Sequence, residues 1–242
     1  MSDSENTNNN ILNLSIRVTT DGFSLSSYDP SHTLGSSKTA SANIWEISEL
    51  ELLNLLSDEE MFQLSYNSVR LIVETDFYAL IPEAFYSDAL ASQFIFGIRD
   101  SIPKNFKTIS NKLLAWNAVL VYAVPEAVHA AFGKILPDIE TEHHVLAYIN
   151  DSVPLDGGTS VHINLRKNCF DAVVLKNGAL QMINTYNTES NEDIAYYVLK
   201  IYDQLQLSAE ECPIQVQSEK SKTAIISVLK KYIKTVTSKK IS

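Results

Sequence analysis

Glycine is scarce in this chain of 242 residues: there are seven, and none follows Gly178. A loop that grips phosphate needs glycine to let backbone N–H groups approach the oxygens, so the chain beyond Gly178 offers no loop of that kind. Cysteine is nearly absent. Cys169 and Cys212 stand alone in the sequence, which fits small buried hydrophobes in a reducing cytosol better than a disulfide framework. No apolar run approaches the ~18 residues that a membrane helix needs. The opening MSDSENTNNN has neither the basic start nor the apolar run of a secretory signal. These gaps make a cytoplasmic location the expectation and leave residues 1–10 as a floppy polar tail.

Basic charge is missing from most of the chain. The net charge is −10, yet positions 217–242 hold seven lysines against Glu219, a net +6 that leaves −16 elsewhere. An acidic body repels a nucleic-acid backbone, so no nucleic-acid partner is expected. Hydrophobic residues make up 45% and charged residues 20%, the balance of a globular protein.

Two stretches carry the fold reading. LSIRVTTDGFSLSSY (14–28) alternates apolar and polar residues around Asp21-Gly22, the chemistry of a hairpin turn. A polar loop is expected over 29–41, a third strand at NIWEI (43–47), and a helix from Ser48 with leucines at helical spacing. SVRLIVE, FYALIP and WNAVLVYAVP read as strands, EAFYSDALASQFIF and EAVHAAFGKILPDI as helices, and TEHHVLAYI as a further apolar segment. The second half repeats the opening: VHINLRKNCFDAVVLKNGALQMINTYN (161–187) gives three strands, with Asn177-Gly178 as a strong turn. A helix over 191–207 follows, capped by Ser190 or Asn191, with Ile194, Tyr197, Val198, Ile201 and Leu205 on one face. PIQVQ is a late strand, and TAIISVLKKYIKTV (223–236) a final amphipathic helix. Two meanders, each followed by helix and strand, point to an internal duplication.

That order resembles the ribonuclease-H-like, actin-like ATPase fold, whose lobes follow βββαβα. The chain is also similar to a bacterial family, domain of unknown function 3822. The likeness runs through FYALIPEAFYSDALASQFIFG, VLVYAVPEAVHAAFGKILPDI and the meander with NEDIAYYVLKIYDQLQL, and covers most of residues 11–236. It implies two lobes, 11–155 and 156–242, and no particular reaction.

A working member of that fold carries Asp-x-Gly after the first strand of each lobe, to organise the metal and admit the phosphates. Here the first turn offers Asp21 directly before Gly22, a favoured type I′ pair, which a plain hairpin explains. The second, 165–169, reads Leu-Arg-Lys-Asn-Cys, with neither acid nor glycine. LDGGTS (155–160) looks like a phosphate loop, with Asp156, Gly157, Gly158 and Thr159, but it precedes the strand it should follow; an interlobe linker is the alternative. LSIRV carries no carboxylate for two-metal nuclease chemistry. No cofactor, metal site or catalytic residue is therefore assigned, and an enzymatic role is disfavoured.

The remaining candidates each have a plain reading. The run 140–144, Glu-Thr-Glu-His-His, cannot turn all its side chains to one ion on a helix, and a solvated helix start is expected. His129 and His162 read as packed or surface residues, and His32 as a loop residue. Cys169, near Arg166 and Lys167, lacks a visible base. Tyr196, Tyr197 and Tyr202 read as core or interface. The stripe Ile225, Val228, Leu229, Tyr232, Ile233 and Val236, ringed by lysines, covers a sheet or docks on an anionic membrane or an acidic partner. The leading expectation is a non-catalytic actin-like module that binds another protein or itself. A divergent nucleotide-binding ATPase-like protein is the competing one.

Overall fold

The computed structural model describes residues 12–31, 33–97, 104–152, 158–218 and 223–240. The tail at 1–10, His32, Asp156 and Gly157 lie outside them. The chain divides into two compact units, Met1–Ala147 and Tyr148–Ser242.

In the first unit, β1 (Leu12–Thr19), β2 (Gly22–Tyr28), β3 (Leu34–Ser41), β4 (Tyr66–Val73) and β8 (Glu140–His143) form one sheet in the order β3-β2-β1-β4-β8. The meander is antiparallel, and β1–β4 and β4–β8 are parallel. Leu14, Ile16 and Val18 are buried at every second position of β1, as the alternation requires. Helix α1 (Glu49–Leu56) starts at a capping box in which Ser48 and Glu51 exchange hydrogen bonds. Between β4 and β8 the chain inserts a second sheet of β5 (Tyr78–Pro82), β6 (Phe106–Leu113) and β7 (Ala118–Pro125), in the order β5-β7-β6. β7 is buried at all eight positions, which is why WNAVLVYAVP reads as one apolar run. Helices α2 (Ala91–Phe96) and α3 (Glu126–Ile135) flank this part, and α4 (His144–Ser152) contains the division between the units.

The second unit repeats the plan. Strands β9 (Ser160–Leu165), β10 (Cys169–Lys176), β11 (Ala179–Asn187), β12 (Ile214–Ser218) and β13 (Val236–Lys240) lie in the order β11-β10-β9-β12-β13. Helix α5 (Asn191–Gln204) and helix α6 (Thr223–Leu229) provide the crossovers. Pairing directions match those of the first unit strand for strand. Asn177 and Gly178 both have positive φ, 53° and 75°, as a type I′ turn demands. Val161, Ile163, Phe170, Ala172, Val174, Ile214 and Val216 make one fully apolar face. Ala195, Val198, Ile201, Ile225, Leu229 and Ile233 close over it.

Several elements differ from the sequence expectations. NIWEI is a turn rather than a strand; the third strand is β3, inside the stretch read as a loop. That strand is exposed along nearly its whole length and pairs with β2 on one side only, so it carries no apolar alternation to detect. EAFYSDALASQFIF forms two single 3₁₀ turns before the six-residue α2. The terminal helix stops at Leu229, and Val236 opens β13 instead. Asp21-Gly22 is not a type I′ pair. Thr20 and Asp21 form the loop, neither with positive φ, and Gly22 begins β2.

Candidate functional site

The sequence resemblance leads to the expectation of phosphate at the turn after the first strand of each unit. In the first unit the turn is occupied by the chain itself. The Ala42 N–H donates to the Asp21 carbonyl at 3.1 Å and the Ile44 N–H to the Thr20 carbonyl at 3.3 Å. The Asp21 N–H donates to Thr19 Oγ1 at 3.3 Å. Gly22 has a packing reason: a Cβ there would lie 2.1 Å from the Ala40 carbonyl oxygen. The glycine admits β3, and Asp21 sits exposed beside it.

In the second unit the turn 166–168 is closed by charge. Arg166, which follows β9, donates through Nε and Nη2 to the two oxygens of Asp171 on β10, both at 2.9 Å. Thr185 of β11 adds a 2.8 Å hydroxyl bond and Asn164 a weaker one at 3.5 Å. Asp171 has no exposed surface, so this bidentate pair is the arrangement that makes a buried carboxylate tolerable. Because an ionised carboxylate only accepts, it fixes the Asn164 amide with its nitrogen toward Asp171. Asn164 Oδ1 and Gln217 Oε1, on neighbouring register positions of β9 and β12, are buried with no hydrogen-bond partner among the described residues. The Tyr148 hydroxyl is in the same condition; burial and then the Asp171 charge push its ionisation far above the usual phenol range.

Of the LDGGTS candidate, Gly158 and Thr159 are described, and they fall at the opposite end of the same sheet. Thr159 Oγ1 accepts the Asn177 N–H at 3.1 Å, and the Gly158 carbonyl accepts the Gly178 N–H at 2.9 Å. Both residues anchor the β10–β11 hairpin, one strand length from the 166–168 turn. The structure therefore does not bring Gly158 and Thr159 together with that turn.

The histidine run is not a solvated helix start. His143 ends β8 with no exposed surface and His144 begins α4 at 3%. His143 Nε2 donates to the Thr75 carbonyl at 2.9 Å while Nδ1 accepts the Val145 N–H at 3.3 Å. The rings of Tyr78, Tyr122 and His144 lie 4.3–5.1 Å from its own. The sequence showed polar letters; the fold makes them an aromatic knot. Among the described residues no cluster of His, Cys, Asp and Glu could hold a metal. His129 lies against Lys107, Nε2 to Nζ 2.6 Å, and burial followed by that lysine lowers its basicity. His162 is 3% exposed, with Nε2 2.8 Å from Ser160 Oγ and Nδ1 3.4 Å from Gln215 Oε1. Cys212 is buried, which raises its thiol pKa. Ile225, Leu229 and Ile233 of the terminal stripe are core residues.

One open cleft lies wholly within the second unit. It has a volume of ≈ 680 Å³ and is lined by Asn168, Asn187, Thr188, Glu189, Asp193 and Tyr197. The Thr188 N–H donates to the Asn168 carbonyl at 2.9 Å, joining the β9–β10 turn to the exit of β11. Ser190 caps α5, and Asp193 Oδ2 accepts from the Glu189 and Ser190 N–H groups, both at 3.0 Å. The sequence marked Tyr197 and this cap as structural; nothing in it marked Asn168 and Asn187, which meet only because β10 and β11 pair.

Two sheets of the same strand order, each a three-stranded meander extended by two parallel strands, define an α/β protein of the duplicated actin-like ATPase fold. Within that class the chain belongs to the family described as protein of unknown function (DUF3822), whose sequence profile matches residues 2–236. No curated protein matches it. A solved protein of Bacteroides thetaiotaomicron, described as having an actin-like ATPase fold and unknown function, superposes with a TM-score of 0.80 at 21% identity, covering 98% of this chain and 94% of that one. The PilM–PilN type IV pilus biogenesis complex matches at 0.52 and 11%, covering 95% and 88%. A ROK family protein from Streptococcus pneumoniae TIGR4 in complex with sucrose matches at 0.50 and 11%, covering 94% and 92%. At these identities the likeness is one of fold. Among the described residues no helix is long and apolar enough to cross a membrane.

Proposed function

We propose that the protein is a non-catalytic actin-like module that acts by binding a protein partner. The observation that carries this is the 166–168 turn: where the fold would admit phosphate, a buried Arg166–Asp171 pair ties the turn to its own sheet. Arg166 is engaged and Asp171 is fully enclosed, so neither is available to a metal or a triphosphate. The first unit supports the same reading, since the Asp21 N–H of its turn is already given to Thr19 Oγ1. The pilus biogenesis complex named above is one case of this fold solved together with another protein, an analogy of architecture and no more.

The test is phosphate release from ATP with magnesium. The proposal expects the rate of buffer alone; turnover would overturn it. The competing reading, an ATPase-like protein working through Asp21 and Asp156, predicts turnover that Asp156→Ala abolishes.

A further inference from the structure

We propose that the sheet of the second unit binds one ordered water molecule at its centre, between Asn164 of β9 and Gln217 of β12, and that this water ties the Tyr148 hydroxyl of α4 to the sheet. The site is independent of the reading of the protein as an interaction module.

It lies on the face of the sheet opposite the apolar core. There the strand register sets five polar residues in one row across all five strands: Thr185, Asp171, Asn164, Gln217 and Lys239. Side chains of register partners share a face. The first three are linked. Thr185 and Asn164 donate to Asp171, and Arg166 closes the group from the turn. With its amide nitrogen given to Asp171, Asn164 turns Oδ1 the other way, toward β12. Gln217, its neighbour in the row, is 7% exposed and buries Oε1 as well. Neither oxygen receives a hydrogen bond.

The adjoining row shows what differs. On the same two strands His162 and Gln215 are register partners, and the ring nitrogen Nδ1 lies 3.4 Å from Gln215 Oε1. A histidine ring is long enough to reach from β9 to β12. Asparagine is shorter, and its one donor group is engaged on the other side. Two acceptors are left next to each other, each needing a donor.

Tyr148 supplies the third group. It is 5% exposed, and its hydroxyl is buried without a hydrogen-bond partner. Burial and then the Asp171 charge hold its proton on, which sets the phenol within range of this row. One water answers all three groups. Its two hydrogens go to Asn164 Oδ1 and Gln217 Oε1, and its oxygen accepts from the Tyr148 hydroxyl, making the roughly three bonds usual for a buried water. A metal cation fits less well, because Asp171 is the one anion of the row and Arg166 already balances it. An anion would meet two bare acceptors. Since α4 contains the division between the units and Tyr148 opens the second, the water fastens the start of that unit to its own sheet.

The experiment is a high-resolution crystal structure of the full chain, with urea unfolding of two variants. The expected result is a solvent peak roughly 2.7–3.2 Å from Asn164 Oδ1, Gln217 Oε1 and the Tyr148 hydroxyl. A Gln217 amide in direct contact with Asn164, a peak that misses any of the three atoms, or one held by about six oxygens as a cation is, would overturn the site. In solution, Tyr148→Phe and Gln217→Met each shift the unfolding equilibrium about fivefold toward the unfolded chain. Made together they shift it by less than the ~25-fold product, because both act through one water. A Tyr148→Phe protein as stable as the parent, the result for a hydroxyl with no partner, or a double variant that reaches the full product, would overturn it equally.

Discussion

Asp171 has no exposed surface and accepts bonds from Arg166, Thr185 and Asn164. Removing it would strand a guanidinium that is itself largely covered. Asp171→Ala is expected to cost about 3–5 kcal/mol in urea unfolding, the scale for breaking a buried pair; a loss below ~1 kcal/mol would show that solvent reaches the pair. The sequence reading passed over Asp171, the one acid inside the apolar run FDAVVL, because its partner Arg166 lies across a turn whose closure only the folded hairpin reveals. The tyrosines give a second test at this scale. Burial raises the ionisation of Tyr122, Tyr148 and Tyr202 well above the ordinary phenol range. A group whose folded pKa is raised contributes stability below its unfolded pKa and loses it as pH rises beyond. Stability should therefore fall above about pH 10, and absorbance at 295 nm should show these phenols ionising only with unfolding. Full ionisation of every tyrosine in the native state would contradict the burial.

At the scale of elements, legibility followed burial. β7, β9 and β10 announced themselves because both faces or alternate positions are apolar, and α5 because its cap and its stripe agree. The edge strands β3 and β13 did not, since each pairs on one side only and most of their side chains are polar. The end of the chain is the instructive case. A helical pattern continues in letters through Val236, but the helix stops at Leu229 and Ile233 reaches the core from a turn. Ile233 is 1% exposed and Tyr232 is 56% exposed. Ile233→Ala should cost about 2–5 kcal/mol, whereas Tyr232→Ala should stay within about 0.5 kcal/mol. Thermal unfolding of the two variants decides it; equal losses would mean that the stripe is not divided between core and surface in this way.

Over the whole molecule the duplication was visible in the order of elements and is explicit in the matching sheets, with the three-stranded insertion as the feature that separates the first unit from the second. The chemistry read from the sequence was an expectation: with no glycine or acid at 165–169, no phosphate turn was expected there. In the fold, Arg166 fastens that turn to its own sheet through Asp171. The cleft beside it was invisible in the sequence, because its residues come from three separate elements. The central claim, that this actin-like fold works without nucleotide, is tested most directly by calorimetric titration of the full chain with ATP, with and without magnesium. The account predicts no saturable heat up to millimolar ATP in either case. Saturable micromolar binding would contradict it.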